Sequence, residues 1–416
     1  MEQKIRFRKF ILICLFLAIF GIISFGYFCP ENTCASFSEK PRFSALSSSN
    51  YDDADKRNHL RTNLIPGDDV KSNSVSFKAS SLSFDDILND NSRFDINSHD
   101  VIVFLHIQKT GGTSFGRHLV QDLDLQRPCN CQRKHKRCYC FRPTKNENWL
   151  FSRYSTGWKC GLHADWTELT NCVDSELDKN EGESKKRRYF YITLIREPIR
   201  RFLSEFKHVQ RGATWKNSRH WCGGRNATAE ELPKCYANDT WINVTLDEFL
   251  ACKHNLAFNR QTRMMSDLSL VGCYNRSAMV DKERNRIMLQ SAKHNLAVMA
   301  FFSLTEYQKE GQYLFEEIFN FRFAVPFTQY NATRSSGYIS KLNADQIRKI
   351  REANQLDLEL YKFAKQLMFQ RFNKLRSKDA NFAERWKHLG ELQVQSAFNW
   401  DDEIEPDLVS ELTNNT

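Results

Sequence analysis

Val101-Ile102-Val103-Phe104-Leu105-His106-Ile107 is an apolar, β-branched run that gives way at Gln108-Lys109-Thr110-Gly111-Gly112-Thr113-Ser114 to a helical pattern through Phe115, Leu119, Val120 and Leu123. A short run without polar alternation fits a strand covered on both faces, and a helix directly after it fits a parallel sheet. Similar runs recur at Tyr189-Phe190-Tyr191-Ile192-Thr193-Leu194-Ile195 and at Ala297-Val298-Met299-Ala300-Phe301-Phe302-Ser303-Leu304, with helical stretches between. The expected fold is therefore α/β, a parallel sheet with helices on both faces. Asn343 followed by Gln346 marks the start of a long helix through Ile347, Ile350, Leu360, Phe363, Ala364 and Leu367.

The turn after the first run has the shape of an anion site. Where a strand hands over to a helix, backbone N–H groups point at whatever lies on the helix N-terminus. Gly111 and Gly112 let the backbone approach closely, Thr113 and Ser114 add hydroxyls, and Lys109 brings charge to a departing phosphate. An ordinary strand-to-helix turn uses the same glycines. A Walker A loop does not fit, because Lys109 precedes the glycines, and no acidic pair ends a strand to hold Mg²⁺. The second run ends at Arg196-Glu197-Pro198-Ile199-Arg200-Arg201-Phe202-Leu203-Ser204, where Arg196 and Ser204 can meet on one phosphate across the turn. Taken alone, that segment reads as a capped surface helix with solvated arginines; paired with the first loop, it reads as a phosphate contact.

Lys4, Arg6, Arg8 and Lys9 precede an uncharged run from Phe10 to Phe28. At about 1.5 Å per residue the run spans roughly 28 Å, enough for a membrane core. Basic residues on the N-terminal side alone orient the remainder of the chain to the lumen. The run is longer than the apolar stretch of a cleaved signal peptide, and no A-x-A-like site follows it. Sequons at Asn226, Asn238, Asn243, Asn275 and Asn331 agree with a secretory setting. So do ten of the 13 cysteines, which lie between Cys129 and Cys273 and can form disulfides of undetermined pairing. The expected organisation is a cytoplasmic tail over 1–9, a transmembrane helix over 10–28, a Ser-, Asn- and Asp-rich stem over 29–98, a catalytic domain over 99–390 and an acidic tail over 391–416. A net charge of +10 favours acidic partners but does not choose among nucleic acid, anionic membrane and polysaccharide.

Several strings are more specific. His106-Ile107-Gln108-Lys109-Thr110-Gly111-Gly112-Thr113-Ser114-Phe115 and the Arg196-to-Ser204 segment resemble the 5′-phosphosulfate and 3′-phosphate elements of sulfotransferases that use 3′-phosphoadenosine 5′-phosphosulfate (PAPS). Together with Cys160-Gly161-Leu162-His163-Ala164-Asp165-Trp166-Thr167-Glu168-Leu169, Asn259-Arg260-Gln261-Thr262-Arg263-Met264, Leu270-Val271-Gly272-Cys273-Tyr274-Asn275 and Pro326-Phe327-Thr328-Gln329-Tyr330-Asn331, they resemble the heparan sulfate 6-O-sulfotransferase family from about Val101 to about Arg376.

That resemblance implies a sulfotransferase fold with a P-loop-like sheet, a Golgi-membrane location with the catalytic domain in the lumen, PAPS as sulfonate donor, heparan sulfate as acceptor, and no metal. It implies His163 as base, with His106 as competitor and Asp165 and Glu168 as weaker alternatives, and Lys109 at the leaving phosphate. Donor contacts are expected from Lys109, Thr110, Gly111, Gly112, Thr113, Ser114, Arg196, Ser204, Arg260, Gln261, Arg263, Thr305, Thr333 and Arg334. A glycan on Asn331 would conflict with a nucleotide role for its loop. Acceptor contacts are expected from His106, Trp166 and a cationic loop, Arg133, Lys134, Lys136 and Arg137, set between Cys129-x-Cys131 and Cys138-x-Cys140; a zinc knuckle there is disfavoured by the spacing. Lys185-Lys186-Arg187-Arg188 reads equally as a solvated loop. The alternatives are transfer to another glycosaminoglycan position, a lumenal glycan kinase, and a non-catalytic heparan-binding membrane protein.

Overall fold

The computed structural model describes residues 84–391, except 90, 133, 134, 136 and 328–335. The expected tail, membrane span, most of the stem and the acidic C-terminal segment lie outside the described residues. Among those described, no helix is long and apolar enough to cross a membrane.

Four parallel strands form the central sheet: β1 (Asp100–Leu105), β2 (Leu150–Phe151), β3 (Arg188–Ile195) and β4 (Phe301–Leu304), in the order β2-β1-β3-β4. Ile102 lies opposite Leu150 on one side and Phe190 on the other. All six residues of β1 are buried, so helices cover both faces of the sheet, as the unalternating apolar runs require. The flanking helices are α1 (Gly112–Gln121), α2 (Trp166–Glu181), α3 (Pro198–Gln210), α4 (Arg260–Met265), α5 (Asp281–Val298), α6 (Gln308–Phe319), α7 (Ala344–Ala353) and α8 (Gln355–Arg376). From β1 the chain runs outward to β2 and then returns past β1 to β3. The strand order therefore reverses between β1 and β3, and a crevice opens beyond their C-terminal ends, where ligands of open α/β sheets bind.

Three local expectations are corrected. The third strand is only Phe301–Leu304, because Ala297 and Val298 finish α5; Arg371 donates to the carbonyls of Ala297 (2.6 Å) and Met299 (3.1 Å), satisfying that helix end. The long C-terminal helix is two helices, broken at Asn354, whose amide turns back to the Ile350 carbonyl at 2.8 Å while Asn259 accepts from the N–H groups of Leu356 and Asp357. The folded body also begins before Asp100. Phe84, Ile87 and Phe94 are buried in the main core, and the Arg371 guanidinium lies 4.4 Å from the centre of the Phe84 ring.

The ten cysteines pair as Cys129–Cys140, Cys131–Cys138, Cys160–Cys172, Cys222–Cys273 and Cys235–Cys252. The first two are nested across a two-stranded hairpin, Asn130–Cys131 with Cys138–Tyr139, which closes the cationic loop.

Candidate active site

The loop from His106 to Gly111 lies in the crevice at the end of β1. Lys109 and Gly111 both take left-handed backbone, with φ 66° and 85°, so the chain turns tightly into α1. Gly111 precedes the helix and supplies no side-chain cap, which leaves the first amides of α1 available to an anion. Gly112 is required by contact: a Cβ there would lie 2.3 Å from His106 Cδ2 and 2.5 Å from its Nε2. The buried Thr110 hydroxyl donates to the Ile107 carbonyl at 3.0 Å, fixing the loop from inside.

The end of β3 meets this loop. Arg196 is buried and donates to the Lys109 carbonyl at 3.2 Å. Ser204 is half-buried, on α3, whose first turn is capped by the Glu197 carboxylate accepting from Ile199 and Arg200. Thr305, just past β4, donates to the Thr110 carbonyl at 2.6 Å, tying the ends of β1 and β4 together. Gln261 places both ends of its amide on the Arg196 backbone, accepting at 2.8 Å and donating at 3.0 Å. Burial first, then Arg211 and Arg196, press the Lys109 ammonium down to about 8, with Glu205 opposing.

His163, on the loop before α2, reaches the same crevice from the far side with φ 52°. Its Nδ1 is 2.8 Å from the His106 carbonyl. A carbonyl only accepts, so Nδ1 carries the proton and Nε2 keeps its lone pair. The half-buried ring sits between Trp158, at 4.7 Å between ring centres, and Trp215, at 5.3 Å. Burial pushes the imidazole down to about 3, with Arg260 and Arg153 adding to that effect and the His106 carbonyl opposing it. His106 is buried against Phe104 and touches His163, with ring centres 4.7 Å apart. Burial and the neighbouring His163, Arg153 and Lys109 hold its pKa well below the usual range, and its Nδ1 has no hydrogen-bond partner among the described residues.

Asp165 and Glu168 cap α2 reciprocally, each accepting from the other's backbone N–H, and Glu168 also accepts from Trp221 N. Burial raises both carboxyls. Their lone pairs are committed to holding the chain just after His163 rather than to meeting a substrate.

Three other expected contacts, Trp166, Arg260 and Arg263, are engaged with partners within the protein. Trp166 is buried in the core, 4.9 Å from Tyr191 between ring centres, because the first turn of α2 directs it at the sheet; Trp158 and Trp215 are the indoles in the crevice. Arg260 is buried in a two-point pair with Glu205 (2.8 and 2.5 Å), and Arg263 points at Tyr274 and the Leu256 carbonyl. Within the cationic hairpin, Arg133, Lys134 and Lys136 lie outside the described residues, as do Thr333 and Arg334. Arg137 leans over Gly157, where a Cβ would meet its Cδ at 3.1 Å, and Cys138 N donates to the Tyr154 carbonyl at 2.6 Å. The hairpin is thus joined to the segment that carries Trp158. Trp158, Trp215, Arg153 and Glu205 carry no motif in the sequence, and only their placement marks them. The sequons Asn226, Asn238, Asn243 and Asn275 are all exposed.

Residues 92–364 match the sequence model of the Sulfotransferase family. The chain is similar to heparan-sulfate 6-O-sulfotransferase 2 of Gallus gallus, 47% identical over 385 residues, covering 91% of this chain and 90% of that protein. It is 58% identical over 280 residues to heparan-sulfate 6-O-sulfotransferase 1-B of Danio rerio, covering 67% and 68%. Against heparan-sulfate 6-O-sulfotransferase 1 of Homo sapiens the identity is 57% over 282 residues, covering 67% and 68%.

Proposed function

The chain belongs to the sulfotransferase family, among the heparan-sulfate 6-O-sulfotransferases, and from that premise we propose that it transfers sulfonate from PAPS to the 6-hydroxyl of glucosamine units in heparan sulfate with His163 as base. The observation that carries this assignment is the Nδ1 contact to the His106 carbonyl, which leaves Nε2 unprotonated in a crevice shared with the phosphate loop.

The donor fits the residues present: uncapped amides at the start of α1, the Lys109 ammonium, the Arg196 guanidinium and the Ser204 hydroxyl. When bound, PAPS supplies an activated sulfonate, so that an O–S bond to the sugar forms as the S–O bond to the 5′-phosphate breaks. His163 takes the hydroxyl proton on Nε2, and because its pKa is low it is in the base form across the physiological range. Lys109 places positive charge where the leaving phosphate gains negative charge. Trp158 and Trp215 narrow the approach to His163 and restrict water. Gln261 and Arg260 act on the donor indirectly, by fixing Arg196 and the crevice wall. The hairpin closed by Cys129–Cys140 and Cys131–Cys138 supplies cations for carboxylates and sulfates of the acceptor.

The run from Phe10 to Phe28 supports a single-pass Golgi anchor with the catalytic domain in the lumen. The exposed sequons and five disulfides fit that compartment. The decisive assay is transfer of labelled sulfonate from PAPS to 6-O-desulfated heparin, with the product mapped by disaccharide analysis. Label at C6 supports the proposal, label at another position redirects it within the glycosaminoglycan sulfotransferases, and no transfer with retained heparin binding favours the non-catalytic alternative.

A further inference from the structure

Glu205 is the most heavily engaged buried carboxylate near the crevice, and neither the donor chemistry nor the base chemistry uses it directly. It follows Ser204 on α3 and turns inward, 1% exposed. One oxygen accepts from Arg260 Nε at 2.8 Å and from Arg201; the other accepts from Arg260 Nη2 at 2.5 Å and from the Trp215 indole N–H at 3.2 Å. Burial alone would raise its pKa, but Arg260 and Arg201 more than offset that and hold it at about 2, so the carboxylate is charged throughout.

The bond to Trp215 has no role in balancing charge. Arg260 and Arg201 already neutralise Glu205, whereas Trp215 belongs to an irregular segment, 211–220, and its indole otherwise packs against side chains, among them His208 of α3, 5.6 Å between ring centres, and Arg260, 6.0 Å from the ring centre. That segment is joined to the histidine loop on both sides of the backbone: Leu162 N donates to the Asn217 carbonyl at 3.4 Å, and the Ser218 hydroxyl donates to the Leu162 carbonyl at 3.0 Å. The indole itself lies edge-on to His163. A continuous series of contacts thus runs from α3 through Glu205 and Trp215 to the ring of His163.

We infer that Glu205 is a positioning residue for sulfonate transfer, pinning the Trp215 indole so that His163 is held in the crevice in register with the donor-facing helix. This rests on the reading of His163 as the base. The effect is geometric: a base displaced by even ~1 Å loses rate steeply, while groups that bind the nucleotide through α1 and Arg196 are untouched.

Trp215→Phe tests the inference without unpairing a buried charge, since it deletes the N–H and leaves a smaller aromatic ring beside His163. The expected result is a melting temperature lowered by a few degrees at most, a kcat lowered by about tenfold, and both the Kd for adenosine 3′,5′-bisphosphate and the acceptor KM within about threefold of the unaltered protein. Acylation of His163 by diethyl pyrocarbonate, followed by peptide mass spectrometry, should accelerate severalfold as the wall loosens. Trp215→Phe with unaltered kcat and unaltered acylation overturns the inference. So does a raised acceptor KM at unchanged kcat, which would make Trp215 a sugar contact rather than part of the support for His163. The acylation arm does not depend on turnover, so a chain that transfers no sulfonate sinks the sulfotransferase reading while Glu205 is still decided.

Discussion

Substitutions in the crevice separate binding from chemistry. In the proposed donor site, Arg196→Ala would remove a charge-assisted donor to a phosphate present before and after transfer, so it is expected to weaken adenosine 3′,5′-bisphosphate binding, measured by calorimetry. His163→Ala should leave that binding intact and lower kcat by ~10²-fold or more. If His163→Ala turns over normally while His106→Ala does not, the base is His106; its burial and its unpartnered Nδ1 make that the weaker position. Lys109 gives a pH signature. Its pKa is depressed to about 8 in the free protein, so its charge is present below that value and lost as pH rises through it. An anionic nucleotide restores the charge, and binding above pH 8 should therefore take up a proton. Calorimetry in buffers of different ionisation heat measures this uptake, which Lys109→Ala should abolish. On the acid side, protonation of His163 in the free protein is expected to lower kcat/KM only well below the usual imidazole range, because burial holds its pKa at about 3.

At the scale of elements, the nested disulfides close the short hairpin of Asn130–Cys131 with Cys138–Tyr139. Two bridges across the hairpin hold Arg137 against Gly157, beside Trp158. Changing Arg133, Lys134, Lys136 and Arg137 to Glu should raise the acceptor KM severalfold at low salt, with nucleotide Kd nearly unchanged; the difference should shrink as salt is added, since exposed charges are screened over about 10 Å at 0.1 M. Acceptor kinetics at low salt that do not respond would assign the hairpin to structure alone. The strand-to-helix turns were legible in the sequence because their chemistry is local: Gly111, Gly112 and Lys109 are adjacent residues, and the conformation they need is set within one turn. The end of α5 and the break at Asn354 were not legible. Ala297 and Val298 suit helix and strand alike, and the choice was made by Arg371 and Asn259, residues distant in the chain.

For the whole molecule, the folded body includes part of what reads as stem. Phe84, Ile87 and Phe94 are separated by polar residues that hide their contribution in a composition window, yet each is buried in the core. At about 1.5–3 kcal/mol per buried apolar side chain, losing them would take a large share of the 5–15 kcal/mol that typically holds a domain folded. A secreted version starting at residue 95 should melt several degrees lower, or be secreted less, than one starting at residue 80; equal stability would show that the N-terminal segment contributes little. The sequence by itself determined the α/β class, the glycine turn from β1 into α1, the family and the residues that carry its motifs, because buried strands, glycine turns and short motifs are written in neighbouring positions. Tertiary structure alone decided the strand order and its reversal between β1 and β3, the five cysteine pairs, the burial of Trp166 and the Trp158–His163–Trp215 wall. Those features depend on contacts such as Glu205 with Arg260, 55 residues apart, and His106 with His163, 57 apart, and no local pattern encodes which distant residues will meet.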